Sequence, residues 1–500
     1  MKSRYAILGI VALFSAGCGA GTPQNEAVRS EAVLSLGTLS TTSKVARQEY
    51  ADGWREWDMN RPEDAYVHMQ RAIAADPNFA MAELGAAATA QSQQDGIEHL
   101  NRAVKLAPNA SKSEQLQIEA EKKAADGDDA GSVALMEQAA QLGNDARIWT
   151  NIAYRLANMG ESQKVRVALD KAIAANPEFE QAYIAKSAAY TLATPFDFEK
   201  AEAAARKAIE LAPDESDPHD FLGDALRAQG KLEEAGAEYT KCAELDPTRG
   251  GCLQQRGHVN TFLGKYPEAR ADYDAAVALS TGNAKPTLAA YRSFVYLFEG
   301  NPRAAIDELN KLYDSIDGMH VPEPAAIKIQ VDSFVMSIAE HNGMIKDAEK
   351  AVARRAQVWK ERSKALNDPG YTHFAKASEA LDAGFLAAAK GDLATATAKA
   401  AEYMKIRAVD TSPGKNKPAH DLMGMIAVKQ KQWSEAAQHF AEGNQDHIYM
   451  NYWHAVALES SGQQAEAQVL YKKIANYYFN AVGVGMVRMN ALAKVKGATA

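Results

Sequence analysis

Small and apolar positions recur along this chain at a fixed interval. Gly223, Gly230, Ala235, Tyr239, Cys242 and Pro247 are answered 34 residues later by Gly257, Gly264, Ala269, Tyr273, Ala276 and Thr281. Small residues fall on small, aromatic on aromatic, and turn former on turn former. Seventy residues before the first set stand Ala153, Gly160, Val165, Leu169, Ala172 and Pro177, with Trp149 and Ile152 upstream; the intervening unit carries two extra residues around Pro195. The frame reads Gly53, Ala65, Met69, Ala72 and Pro77 near the N-terminus. Towards the C-terminus it reads Gly424, Ala436, Phe440 and Gly443, then Ala455, Gly462, Ala467 and Tyr471. Self-similarity of this period is the signature of stacked repeats. Alanine is abundant, which favours helix. Long alternating runs of Val, Ile and Thr are missing, so no strands are predicted.

Each position in the frame has a physical role. Gly223 and Ala235 are small where two helices of one unit cross closely, and Tyr239 fills the gap between them. Gly230 ends the first helix as a left-handed residue would, and Pro247 stops the second. One unit buries too little apolar surface to stand alone, and stacking makes the core continuous. The spacing resembles the tetratricopeptide (TPR) motif, whose marks stand at Trp149, Leu222-Gly223, Ala235, Tyr239 and Pro247. The resemblance implies an all-α solenoid of about twelve helix-turn-helix units between residues 46 and 481, forming a right-handed superhelix. Residues 482–500 are expected to form a C-terminal capping helix and tail. The match is strongest over 146–283 and 46–79, fair over 377–408 and 417–481, and weak over 111–144. It drifts over 286–360, with a loop around Asp317 to Pro324. The expected divisions are an N-terminal array at 46–285, divergent repeats at 286–376 and a C-terminal array at 377–481.

The chain opens with a different pattern. Lys2 and Arg4 precede the apolar run Tyr5 to Phe14, and small residues lead to Cys18. This is the layout of a secretion signal over 1–17, and the run is too short to span a bilayer. Ser15-Ala16-Gly17-Cys18 resembles a bacterial lipobox, although Ser15 stands where that family has an aliphatic residue. The resemblance implies lipidation at Cys18 and, with Gly19 in place of an Asp, an outer-membrane lipoprotein facing the periplasm. Ordinary cleavage nearby, for example after Ala20, would instead give a soluble periplasmic or secreted protein. Residues 18–45 read as the lipidated Cys and a flexible tether rich in Gly, Ser and Thr, with a mean reach of roughly 28 Å.

Charge narrows the partners. The 500 residues include 55 basic and 64 acidic ones, a formal net charge of −9. Without Lys2 and Arg4 the balance is −11. A nucleic-acid surface needs clustered Lys and Arg, and an acidic chain gives no reason to expect binding to anionic lipid, so any membrane contact is through the N-terminal anchor. Catalytic patterns are missing: there is no His-Glu-x-x-His, no Gly-x-Ser-x-Gly elbow and no phosphate-binding loop. The eleven His residues are scattered. His447 and His454 share a segment, but a metal site needs three or four converging ligands. No enzyme activity, metal or cofactor is expected. Cys242 and Cys252 fall late in one unit and early in the next, on helices that pack together in a TPR stack. In an oxidising compartment they could be bonded; otherwise they are two small buried residues, as Ala172 and Ala276 are at equivalent places.

In TPR proteins the first helix of each unit lines the concave surface. Laid on this chain, that geometry points inward Tyr50, Trp54 and Trp57, then Tyr154 and Asn158, then Asp220, Asp224 and Arg227, and then Gln254, His258 and Phe262. Phe294, Phe298, Tyr449 and Tyr452 follow. Aromatic and Arg side chains often anchor interfaces, yet aromatics at helical spacing are as often core. Some TPR proteins clamp a C-terminal carboxylate with Lys, Asn and Arg; only Arg147 and Asn151 answer that pattern here. The function expected is a scaffold or adaptor of the bacterial cell envelope that holds a partner protein or peptide in the groove. The alternatives are a binding module for a glycan or small ligand, or an enzyme with a divergent site within 286–376.

Overall fold

Alanine, glycine and one large side chain per hairpin set the fold. In the hairpin of Ser216–Ala228 and Leu232–Leu245, Ala235, Tyr239 and Cys242 are fully buried. A Cβ on Gly223 would sit 2.5 Å from Cε1 of Tyr239, so only glycine lets the ring lie against the facing backbone. Gly230 follows the first helix at φ +77°. After the second helix Thr248 N donates to Asp246 Oδ1 at 3.1 Å, which turns the chain at Pro247. The same plan recurs with Ala65, Met69 and Ala72, with Ala269, Tyr273 and Ala276, and with Ala467 and Tyr471, all fully buried.

The computed structural model of the chain describes residues 34–497 apart from 60, 91, 144, 194, 283, 411 and 413. Among these are twelve consecutive helical hairpins and a closing helix, with no strand. The first six hairpins are α1 (Lys44–Asp58) with α2 (Pro62–Ala75), α3 (Ala80–Thr89) with α4 (Gln93–Leu106), and α5 (Lys112–Ala125) with α6 (Asp129–Gly143). Next come α7 (Ala146–Asn158) with α8 (Ser162–Ala175), α9 (Glu180–Leu192) with α10 (Phe198–Leu211), and α11 (Ser216–Ala228) with α12 (Leu232–Leu245). The seventh to ninth are α13 (Gly250–Phe262) with α14 (Tyr266–Leu279), α15 (Ala284–Phe298) with α16 (Pro302–Ser315), and α17 (Pro324–His341) with α18 (Ile345–Leu366). The last are α19 (Pro369–Lys390) with α20 (Leu393–Arg407), α21 (Lys417–Gln430) with α22 (Trp433–Glu442), and α23 (Ile448–Ser460) with α24 (Gln464–Ala475). Helix α25 (Val482–Gly497) ends the array.

The fold is thus an all-α helical-repeat solenoid. Where the sequence frame drifts, the hairpins persist but lengthen: α17 has 18 residues and α18 and α19 have 22 each. The longer helices carry the apolar positions out of the 34-residue register. The chain divides into two compact units at Arg256 and Gly257, within α13.

In the C-terminal unit, α25 packs against the first helices of several hairpins. Val484, Val487 and Ala491 are fully buried, in a cluster with Phe298, Tyr449, Ala455 and Leu458. Val482 and Met486 pack with the cluster of α15 to α18 that holds Leu297 and Ile338. The Arg488 guanidinium lies 5.1 Å from the Phe262 ring and 4.8 Å from that of Tyr478. Asn480 Nδ2 donates to Tyr273 Oη at 3.0 Å. The first-helix face of this unit is covered by α25.

At the other end the chain departs from the expected tether. Cys18 and residues up to 33 lie outside the described residues. Residues 34–43, assigned to the tether over 18–45, pack inside the N-terminal unit: Leu34, Leu36 and Leu39 are 2%, 8% and 6% exposed. Three leucines in six residues are too apolar to stay in water when a groove is beside them.

Candidate groove of the N-terminal unit

Residues 34–43 form a strap against the helices of the first four hairpins. It runs antiparallel to their order. Arg147 Nε of α7 donates to the Leu34 carbonyl at 2.9 Å, and Ala146 N donates to Ser35 Oγ at 3.2 Å. Ser40 N and Oγ both donate to Glu114 Oε1 of α5, at 3.0 and 3.1 Å. Thr41 Oγ1 donates to Asp76 Oδ2 at 2.5 Å. Arg47 donates back to the carbonyls of Leu39 and Thr41 at 3.3 and 3.0 Å. Gly37 sits at φ +65°, and a Cβ there would meet Asp145 Oδ2 at 2.8 Å. The leucines join Tyr50, Phe79, Met81 and Ile118 in one apolar cluster.

Beyond the strap the groove stays open as a cavity of about 790 Å³. Trp54, Trp57, Tyr154 and Phe221 line it, together with the strap itself. Three ion pairs join charged side chains of its lining. Arg147 meets Asp58 through Nη1–Oδ1 at 2.9 Å and Nη2–Oδ2 at 2.5 Å. Its guanidinium lies 5.1 Å from the Trp54 ring and 5.0 Å from that of Phe179. Burial works against this charge, but the Asp58 carboxylate more than offsets it and holds the guanidinium above its ordinary range. Arg155 pairs with Glu121, and Arg249 with Asp217. Burial pushes the Tyr154 hydroxyl up to about 12, with the Asp58 charge adding to it, so it remains a neutral donor at physiological pH. The resulting lining is largely apolar and aromatic, with its three arginines paired to carboxylates, which suits an uncharged or weakly charged ligand surface.

The residues expected to face a partner divide sharply. Tyr50, Trp54, Trp57 and Tyr154 line this cavity. Tyr50 is 3% exposed and serves as its floor. Asn158 is exposed and lies outside the lining. Asp220, Asp224 and Arg227 are not lining residues but an internal network between α11, α12 and the start of α13. Arg227 donates to Asp224 at 2.8 Å and to Gln255 at 2.7 Å, and Tyr239 Oη donates to Asp224 at 2.7 Å. Arg249 donates to Asp220 at 2.8 Å. Gln254 is half-buried on α13, outside the lining.

The remaining candidates belong to the C-terminal unit and are packed. His258 Nδ1 lies 2.6 Å from Tyr273 Oη, and its ring meets Tyr291 edge-on. Phe262 packs against Phe298 and Tyr478. Phe294, Phe298 and Tyr449 are buried, and Tyr452 is half-buried against Trp453 and Tyr471. Cys242 and Cys252 form a disulfide with a Cα separation of 5.8 Å, both fully buried, tying α12 to α13. Arg147, the fragment of a carboxylate clamp, is committed to Asp58 and the strap.

Several groove residues carried no sequence signal. Glu114, Asp145 and Asp58 look like ordinary solvated acids. Phe221 and Asp217 precede the marked glycine of their hairpin without being part of the motif. Among the described residues no group of three or more His, Cys, Asp or Glu side chains is placed to hold a metal ion, and no helix is long and apolar enough to cross a membrane.

The tetratricopeptide repeat family model matches residues 219–249, the hairpin of α11 and α12. No curated protein matches the chain. Among solved structures, MamA from Desulfovibrio magneticus RS-1 is 19% identical over 34% of this chain and 95% of its own, with a TM-score of 0.30. YrrB, described as a TPR protein with an unusual peptide-binding site, is 20% identical over 36% of this chain and 91% of its own, with a TM-score of 0.29. A tetratricopeptide repeat protein from Parabacteroides merdae ATCC 43184 is 14% identical over 57% of this chain and 96% of its own, with a TM-score of 0.33. The hairpin of α11 and α12 is thus a tetratricopeptide repeat, and the hairpins that keep its 34-residue frame share its plan.

Proposed function

We propose that the N-terminal unit is a binding module that holds an extended segment of a partner protein in its groove. Arrays of this kind present long concave surfaces for binding. The observation that carries the reading is an open, aromatic-walled cavity of about 790 Å³ lined in part by a non-helical stretch of the chain's own backbone, residues 35–39. The adaptor role in a bacterial envelope, with a lipid at Cys18 anchoring the chain to the outer membrane, is part of the same proposal and rests on the N-terminal sequence pattern alone. Trp54 and Trp57 could equally stack on a sugar ring, which makes a glycan the second reading.

The test places a photo-crosslinking amino acid at Tyr154 in the full chain, with Asn158 as the matched exposed control. Capture of one protein from position 154 and not from 158 is the expected result. Identical background at both positions would remove the groove from consideration. The half-buried Trp57 supplies the affinity check: Trp57→Ala is expected to weaken the captured interaction roughly tenfold or more.

A further inference from the structure

The strap is a bound peptide that belongs to the same chain. It crosses α7, α5 and α1 with Ser35 and Gly37 at positive φ, and its contacts show what the groove recognises. Arg147 takes a main-chain carbonyl. Glu114 takes both a main-chain amide and a hydroxyl, and Asp76 takes a second hydroxyl. Leu34, Leu36 and Leu39 fill the apolar floor between Tyr50, Phe79 and Ile118. None of this requires the strap to be joined to α1. Any segment offering leucines at this spacing, with two small hydroxyl residues directly after the last of them, meets the same donors and acceptors.

We propose that the strap is an internal competitor, and that the external ligand of the groove is an extended segment of a partner protein with the strap's own chemistry, Leu-Ser-Leu-Gly-Thr-Leu-Ser-Thr as it stands at residues 34–41. The partner segment takes the strap's place and reaches on into the cavity beside Trp54 and Tyr154. The proposal rests on the reading of this groove as a peptide-binding site and adds what the peptide is like and what it must displace. Because the strap leads into α1 after only Thr42 and Ser43, its local concentration is high, on the order of millimolar for a short connection. An external segment therefore binds with its intrinsic affinity multiplied by the fraction of time the strap is open. Groups facing the strap from every packed element (Glu114, Asp145, Arg147, Asp76 and Arg47) are either paired to it or cap a neighbouring helix, so displacement exchanges like contacts for like.

The experiment uses the full chain and a fluorescent peptide of residues 34–41. Gly37→Val leaves every groove side chain in place but forces a Cβ onto Asp145 at a backbone angle valine resists. Anisotropy titration is expected to show the peptide binding the Gly37→Val chain roughly tenfold or more tightly than wild type. Equal affinity for both chains, or no binding to either, overturns the proposal. Limited proteolysis of the wild-type chain decides independently of whether the variant folds: excess peptide is expected to speed cleavage within 34–43, and an unchanged rate overturns the proposal. The two readings fail separately. If the photo-crosslinked partner is captured equally by wild type and Gly37→Val, the groove binds a partner beside the strap and only this inference falls. If no partner is captured by either, the groove reading itself falls.

Discussion

The two units fill their inner faces in opposite ways. The C-terminal unit uses a 16-residue helix whose backbone is satisfied within itself and whose Val484, Val487 and Ala491 are fully buried. The N-terminal unit uses a ten-residue strap held through several of its polar groups by side chains such as Glu114, Asp76 and Arg147. The energetics differ accordingly. Burying three leucines contributes about 6 kcal/mol, and the strap's hydrogen bonds contribute about 1 kcal/mol each. Ordering ten residues of backbone costs about 10–20 kcal/mol. The strap is therefore close to balance and can exchange, whereas α25 is part of a core. A face closed by a helix is finished structure, and a face closed by a strap is a site with a weak occupant.

Substitutions can separate the two. Val487→Asp places an unpaired charge in the core under α25 and is expected to destabilise the C-terminal unit by about 4 kcal/mol. Calorimetry of the full chain would read this as a lowered transition, with strap proteolysis unchanged. Arg147→Ala strands the buried Asp58 carboxylate and removes the hold on Leu34, at a cost of about 3 kcal/mol. Cleavage within 34–43 should then accelerate while α25 stays intact. An effect of either variant on the other unit's marker would break the comparison.

The smallest effect concerns pH. Burial, with the Asp382 charge adding to it and Arg355 opposing it, pushes the Glu340 carboxyl up to about 8. Its folded pKa lies above its unfolded one, so the folded unit resists ionisation of this group. Stability is then lost as pH climbs from about 4.5 towards 8, and the loss is complete above that. Glu340→Gln is expected to recover about 2 kcal/mol at pH 8 and nothing at pH 4. A pH-independent effect, read by thermal melting at both values, would show that the carboxyl is not held neutral.

Much of the fold was legible because each hairpin repeats a steric constraint. Gly223 against Tyr239 and Gly424 against Phe440 are the same crossing seen twice, and the frame that finds one finds the other. The site was half legible. Trp54, Trp57 and Tyr154 follow from the rule that first helices face inward. The same rule also points to Phe262, Phe298 and Tyr449, and it cannot say that α25 packs with them. The strap was hidden for a compositional reason. Its Gly, Ser and Thr residues read as tether, and the spacing of Leu34, Leu36 and Leu39 gains meaning only when an apolar groove lies beside it. Arg147 carried a signal that pointed to a ligand carboxylate, when its partner is Asp58 of another hairpin.

The central claim is that the N-terminal groove is closed by something that opens and the C-terminal face by something that does not. Native-state hydrogen exchange on the full chain tests this directly. The Ser40 amide, which donates to Glu114, is expected to exchange through local opening, with little dependence on denaturant. The α25 amides around Val487 are expected to exchange only when the C-terminal unit unfolds. Equal protection at Ser40 and Val487, with the same denaturant dependence, would make the strap as permanent as the helix and contradict the account.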